Sequence, residues 1–281
     1  MTGWCQLPEL PEVQTIVDAL SAAGIVGRRI IQARVRWDKT IATPSPQLFR
    51  RKIKGVGIQH IRRRAKYIIM DLTGKSYLVV HLRMTGRFDL VAADQLPTPH
   101  VHVILALDDG RKLMFHDTRK FGRFYLTTEL SSITQGLGPE PLSPHFSAKV
   151  LSAHLSKRQR QIKPLLLDQR FISGLGNIYV DEALWHAGIH PLRQAHTLDG
   201  GEVRSLHRAI RHVLRQGIRN AGTSLGRGLG NYMGLNANPG RNGDHLKVFR
   251  KTGQTCPRCG GKIQRIVVGQ RGTHLCTMCQ I

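Results

Sequence analysis

Acidic side chains are scarce in this 281-residue chain: 18 Asp and Glu stand against 42 Lys and Arg, a formal net charge of +24. Such an excess points to a polyanionic partner, because each phosphate neutralised by Lys or Arg releases condensed counterions. Long apolar runs are also missing. No stretch approaches the roughly 18 consecutive apolar residues of a membrane span, and the first residues lack the charged-then-apolar order of a signal peptide. A soluble, cytoplasmic protein without a membrane partner is therefore expected. At 41% hydrophobic and 21% charged residues, the composition also excludes a disordered basic tail. The length suggests two domains with a small appendage. Basic residues recur at Arg62, Arg63, Arg64 and Lys66, over 157–163 and over 204–219. They are not gathered on one amphipathic membrane helix, which favours nucleic acid over an acidic lipid surface.

Four of the five cysteines form two Cys-x-x-Cys pairs, Cys256/Cys259 and Cys276/Cys279, with sixteen residues between the pairs. Each pair suits a knuckle that aims two thiolates at one ion, and the separation fits a β-hairpin returning the second knuckle to the first. One structural Zn²⁺ is the expected occupant. Two disulfides are the alternative, disfavoured in a reducing compartment. Cys5 is left over.

Residues 9–21 read as a helix, with Pro11 in the first turn, Glu9 and Glu12 at the positive end, and an apolar stripe of Val13, Ile16, Val17 and Leu20. Short β-rich runs follow at 30–35, 67–72, 77–82, 101–107, 112–115 and 121–127, with Asp109-Gly110 as a hairpin signal. Strands without intervening helices predict a β-sandwich with the first helix packed on it. Beyond a Pro- and Gly-rich loop at 137–142 the period turns helical, over 148–155, 164–167, 178–187 and 201–219, which predicts an all-α domain. A glycine-rich segment at 222–245 reads as a functional loop. The expected class is thus α+β and multidomain. Gly174-Leu175-Gly176-Asn177, just before a helix, suits phosphate binding at a helix start; a plain turn with an Asn cap is the alternative.

Six motifs in order, Pro8-Glu9-Leu10-Pro11-Glu12-Val13, Arg64-Ala65-Lys66-Tyr67, His81-Leu82-Arg83-Met84-Thr85-Gly86, Arg119-Lys120-Phe121-Gly122, Gly174-Leu175-Gly176-Asn177-Ile178-Tyr179 and the four-cysteine ribbon, resemble the formamidopyrimidine-DNA glycosylases. The resemblance implies a monomeric, bacterial base-excision repair enzyme acting on damaged double-stranded DNA. It implies a catalytic β-sandwich over 8–137, a helix-two-turn-helix domain over 143–240 that includes a lesion-capping loop, and a zinc ribbon over 245–281. It also implies that the amine of Pro8 attacks C1′ of the damaged nucleotide, with Glu9 shuttling protons and Lys66 and Arg271 assisting two successive strand eliminations. Met84, Arg119 and Phe121 match the wedge that fills the gap left by a flipped base. His100, Arg119, Arg158, Lys163 and Asn177 match the residues that hold the DNA. Taken singly, Glu9 and Glu12 could merely complement the helix dipole, Lys66 and Arg271 could be surface charges, and Met84 and Phe121 could be strand core.

Some positions depart from the family pattern. Pro8 is internal in the sequence, so its nitrogen is a tertiary amide without a usable lone pair. The expectation is that residues 1–7 are absent from the working protein, with initiation at Leu7 and removal of the initiator residue exposing Pro8. A chain that kept them would bind damage without cutting it, which leaves a non-catalytic damaged-DNA-binding protein as an alternative. Arg83 stands where glycine is common, and Thr118 and Lys120 replace a Pro and an Arg. Leu10, rather than a glycine, favours oxidised purines (8-oxoguanine and formamidopyrimidines) over the oxidised pyrimidines of the sister endonuclease VIII group.

Overall fold

The computed structural model describes residues 7–225 and 232–281. Cys5 and the middle of the glycine-rich segment lie outside them. The chain divides into two units, Met1–Gln135 with Asn220–Gly243, and Gly136–Arg219 with Asp244–Ile281.

The first unit opens with α1 (Leu10–Ala22), whose N-terminus is closed by a capping box between Glu9 and Glu12. Gly24, at φ +70°, lets the chain leave the helix. Then come β1 (Ile30–Val35), β2 (Ile41–Thr43), α2 (Pro46–Ile53), β3 (Ile58–Arg64), β4 (Tyr67–Leu72), β5 (Ser76–His81), β6 (Arg87–Ala92), β7 (Val101–Leu107), β8 (Arg111–His116), β9 (Arg123–Thr127) and the short α3 (Ser131–Thr134). They form two sheets, ordered β2-β9-β5-β4-β3 and β1-β7-β8-β6. All neighbours are antiparallel except β2 and β9.

Alternation places Ile68, Met70, Leu78, Val80 and Phe124 of one sheet against Val103, Leu105, Leu113 and Phe115 of the other, in a single core with Val13, Ile16 and Leu20 of α1. This is the expected sandwich. A register irregularity between Val101 and Val103 moves Val101 to the opposite face of β7, where it joins Ile104 and Met114 in a smaller cluster.

The glycine-rich segment, expected with the helical domain, belongs to this first unit at its described residues. The cause is Glu12, a fully buried carboxylate. Its Oε2 accepts from the Glu9 N–H at 2.9 Å and its Oε1 from the Thr223 N–H at 2.8 Å. The Tyr232 hydroxyl donates to the Glu12 carbonyl at 3.3 Å, and Asn236 accepts from the Leu90 N–H at 2.7 Å.

The second unit contains α4 (Ala148–Leu155), α5 (Ile162–Leu167), α6 (Asn177–Ala187), α7 (Gly200–Arg219) and the hairpin β10 (Gln264–Val268) and β11 (Arg271–Leu275). Gly217 of α7 lies against the Tyr179 ring of α6, where a Cβ would collide with it. Two adjacent α6 carboxylates fasten the rest. Glu182 accepts from the N–H groups of Lys247, Val248 and Phe249 at 2.8–2.9 Å. Asp181 accepts from the His274 N–H at 2.9 Å. Among the described residues no helix is long and apolar enough to cross a membrane.

Glu12→Ala leaves two buried main-chain donors without their acceptor. We expect a loss of about 3 kcal/mol in denaturant unfolding of the first unit; a change below about 0.5 kcal/mol would show that the carboxylate does not hold the segment.

Candidate active site and metal centre

Pro8 and Glu9 are buried at the head of α1, Glu9 being the extended N-cap residue. Lys66 lies in the two-residue turn between β3 and β4, half-buried, after Ala65 at φ +52°. One side chain stitches these two places together: Arg63 donates from Nε to Gln14 of α1 at 3.0 Å and from Nη1 to the Ala65 carbonyl at 2.9 Å. His81 completes the surroundings. Burial, and then the charges of Arg83 and Lys66, lower its pKa to about 3, so it is a neutral imidazole there.

The wedge candidates sit on two connections of the same unit. Met84, half-buried, lies between β5 and β6; Arg119 and Phe121, both exposed, lie between β8 and β9. The Arg119 guanidinium lies over the Phe121 ring, 5.2 Å from its centroid. Asp117, which the sequence reading did not single out, organises both connections. It is 1% exposed, and its carboxylate accepts from the Thr85 hydroxyl, from the Arg119 N–H at 3.2 Å and from the Gly122 N–H at 2.7 Å. Its own N–H donates to the His100 carbonyl at 2.9 Å, drawing that exposed residue into the same network. The signal was a lone acid inside a basic motif.

Arg83 has φ +57°. Left-handed backbone explains why glycine is common at this position, and an arginine there carries a strain of about 1 kcal/mol.

In the second unit, Lys163, Asn177 and Arg271 come together from three elements. The turn Gly269-Gln270, with both φ positive, closes the hairpin and presents Arg271, which is exposed. The next carbonyl, that of Gly272, accepts from Asn177 Nδ2 at 2.9 Å and from Lys163 Nζ at 3.2 Å. Lys163 is wholly buried and pairs with Asp181 at 2.5 Å. Lys163, expected to hold DNA, thus meets an internal anion, the partner that a buried ammonium needs. The Gly174 N–H, proposed for phosphate, donates to Gln169 at 2.9 Å. Arg158, after α4, is exposed.

The four cysteines of the ribbon converge. Their sulfur atoms lie within 4.8 Å of one another, with Cys256–Cys279 at 3.9 Å and Cys259–Cys276 at 3.4 Å. Tetrahedral Zn–S bonds of about 2.3 Å require sulfurs about 3.8 Å apart, so the set fits Zn²⁺. Burial, with the neighbouring sulfurs, pushes the Cys279 thiol up to about 12. The Cys256 thiol falls to about 6: burial opposes ionisation, but the N–H groups of Arg258 and Cys259 together with the Trp185 and Cys276 side chains outweigh it. Four thiolates here require a cation.

A two-sheet domain headed by a Pro-Glu helix, a helical domain and a four-cysteine hairpin together make up the architecture that the sequence resemblance implies for a zinc-ribbon DNA-repair glycosylase. The family models agree. Residues 7–124 match the formamidopyrimidine-DNA glycosylase N-terminal domain, 137–227 the formamidopyrimidine-DNA glycosylase H2TH domain, and 253–281 the zinc finger found in FPG and IleRS. The chain is 46% identical to the formamidopyrimidine-DNA glycosylase of Protochlamydia amoebophila, covering 98% of this chain and 99% of that one. It is equally identical to that of Herpetosiphon aurantiacus, over 98% and 100%. Among solved structures, a Lactococcus lactis FPG mutant bound to Fapy-dG-containing DNA superposes with a TM-score of 0.89 at 35% identity, covering 97% and 99% of the two chains. The Lactococcus lactis Fpg complexed with abasic-site DNA gives 0.88 at 36%, with the same coverage. The chain belongs to the formamidopyrimidine-DNA glycosylase family.

Two measurements test the site. Asp117→Ala should slow release of a stacked damaged base about 30-fold and strand cleavage at a preformed abasic site by less than about threefold, because only the first needs base flipping; equal slowing of both would remove Asp117 from the wedge. Stripping zinc with a chelator should release one equivalent of metal and weaken DNA binding more than about tenfold; unchanged binding would show that the hairpin holds Arg271 without it.

Proposed function

We propose that this protein excises oxidised purines, 8-oxoguanine and formamidopyrimidines, from duplex DNA and then cuts the abasic strand by β- and δ-elimination. The observation that carries the reading is the buried Pro8–Glu9 pair heading α1, in a chain matched end to end by formamidopyrimidine-DNA glycosylases.

The secondary amine of Pro8 attacks C1′ and the base leaves with its bonding electrons, taking up a proton. Glu9 relays protons at the sugar, and opening of the ring gives an iminium between Pro8 and C1′. The iminium acidifies C2′; loss of that proton expels the 3′-phosphate, and a second elimination expels the 5′-phosphate. Lys66 serves the first elimination and Arg271 the second. Lys163 and Asn177 act as positioning residues, through the carbonyl beside Arg271, rather than as phosphate ligands. Met84, Arg119 and Phe121 fill the space left by the base, and His100 and Arg158 hold DNA. Zn²⁺ on Cys256, Cys259, Cys276 and Cys279 is structural. The working domains are 8–137 together with the segment 220–243, the helices of 143–219, and the ribbon of 245–281, and the protein acts as a monomer in the bacterial cytoplasm or nucleoid. Leu10 following Glu9 supports purine over pyrimidine lesions.

This chemistry needs an amine on Pro8, not an amide. A form beginning at Pro8 should become covalently trapped on abasic DNA by borohydride and should cut 8-oxoguanine and formamidopyrimidine duplexes in preference to thymine glycol. The 281-residue form should bind the abasic duplex and fail to cross-link. Trapping of both forms, or of neither, would remove Pro8 as the nucleophile.

A further inference from the structure

Helix α7 carries five arginines and no lysine, at 204, 208, 211, 215 and 219. At 3.6 residues per turn this spacing draws one stripe about 22 Å long. The opposite face, with Val203, Leu206, Ile210, Val213 and Leu214, is buried, and α7 packs on α6 and α4. Arg204, Arg208, Arg215 and Arg219 are exposed. The ion pairs described in this unit join Arg160 to Asp168, Lys163 and His274 to Asp181, and Arg193 to Glu202, so none uses a stripe arginine. Asp199 does sit near Arg204, but the sequence then runs from Val203 to Gly243 without an acidic residue.

A solvated helix face usually alternates charge at i, i+4, since like charges there repel. Here 204/208, 211/215 and 215/219 are all Arg–Arg pairs. Arg208, Arg211, Arg215 and Arg219, with His207 and His212, line a shallow recess of about 300 Å³. Arg211 is locked in place by donating to the carbonyls of Pro141 and Ser143 at 2.9 and 3.0 Å. Burial, and then Arg215, lower its pKa.

We infer that the α7 arginine stripe is a second DNA-binding surface, taking the phosphate backbone of a duplex segment other than the one that carries the lesion. Planar guanidinium forks match phosphate oxygens, and the stripe puts a cation about every 6 Å along a straight rod. A lipid surface does not fit, because membrane-surface helices insert their apolar face and that of α7 is spent in the domain core. Asn177 and the Asp181–Lys163 pair that steadies the Gly272 carbonyl involve α6, against which α7 turns its buried face. The stripe lies on the other side of the helix from these groups. Holding a second segment would let the protein pass between DNA strands without full release.

The inference rests on the proposed function, and the test separates the two. Full-chain protein is bound to a tethered short duplex of about 13 bp containing an abasic analogue, and capture of a second, fluorescent undamaged duplex is titrated against salt. Native protein should capture it about tenfold more tightly than Arg208→Gln/Arg215→Gln/Arg219→Gln, with a log–log salt slope steeper by about three, while both bind the tethered duplex within twofold. Thermal unfolding checks that the variant is folded. No capture, or equal capture by both proteins, overturns the second surface. Loss of tethered binding by the variant also overturns it, assigning the stripe to the lesion complex itself. If native protein shows no preference for the abasic analogue, the functional reading fails instead; the stripe is then judged by the same affinity ratio and slope difference on undamaged duplex alone.

Discussion

A carboxylate buried against main-chain N–H groups is the interaction on which the candidate functional residues of each unit depend. Glu12, Asp117, Asp181 and Glu182 are each no more than 3% exposed, and each accepts from at least one backbone N–H in a segment that carries, or directly supports, a candidate functional residue. Bonds from neutral donors to an ionised acceptor are stronger than neutral pairs, and the low-dielectric interior raises the penalty for breaking them. The exposed side chains proposed to meet DNA, Arg119, Phe121 and Arg271, therefore stand on loops whose backbone cannot easily drift. Four of the 18 acids are thus buried in positioning roles and add nothing to the surface.

Lys163 shows the same economy from the other side. Its ammonium neutralises Asp181 and bonds the Gly272 carbonyl, so one internal pair couples α5, α6 and the ribbon turn. A buried pair of this kind adds little net stability, because desolvation consumes much of the attraction. Its effect is to fix one geometry among several.

Much of this was legible in the sequence. Short β-rich runs located β1, β4, β5, β7, β8 and β9, the Asp109-Gly110 turn joined two of them, and the cysteine spacing pointed to the metal site. Other parts were not legible, for identifiable reasons. β3 reads Ile-Gln-His-Ile-Arg-Arg-Arg and lies at the edge of its sheet, so it lacks the apolar pattern that a buried strand shows. β6 and α2 bury little, only Phe88 of the one and Phe49 and Ile53 of the other being fully buried. Asp117, Asp181 and Glu182 looked like any acid, since nothing in a one-dimensional string says which N–H a carboxylate will meet. Lys163 looked like a surface cation for the same reason: its partners are 18 and 109 residues away.

The bond between Glu12 and Thr223 has a consequence for how the protein is made. Its partners are separated by 211 residues, and helices α4 to α7 of the second unit are encoded between them. At translation rates of roughly 5–20 residues per second, the head of α1 waits roughly 10–40 s on the ribosome before the residue that satisfies its buried carboxylate exists. The first unit to emerge therefore cannot close before the helices of the second exist, and its Pro8–Glu9 end stays incompletely assembled until they have been synthesised.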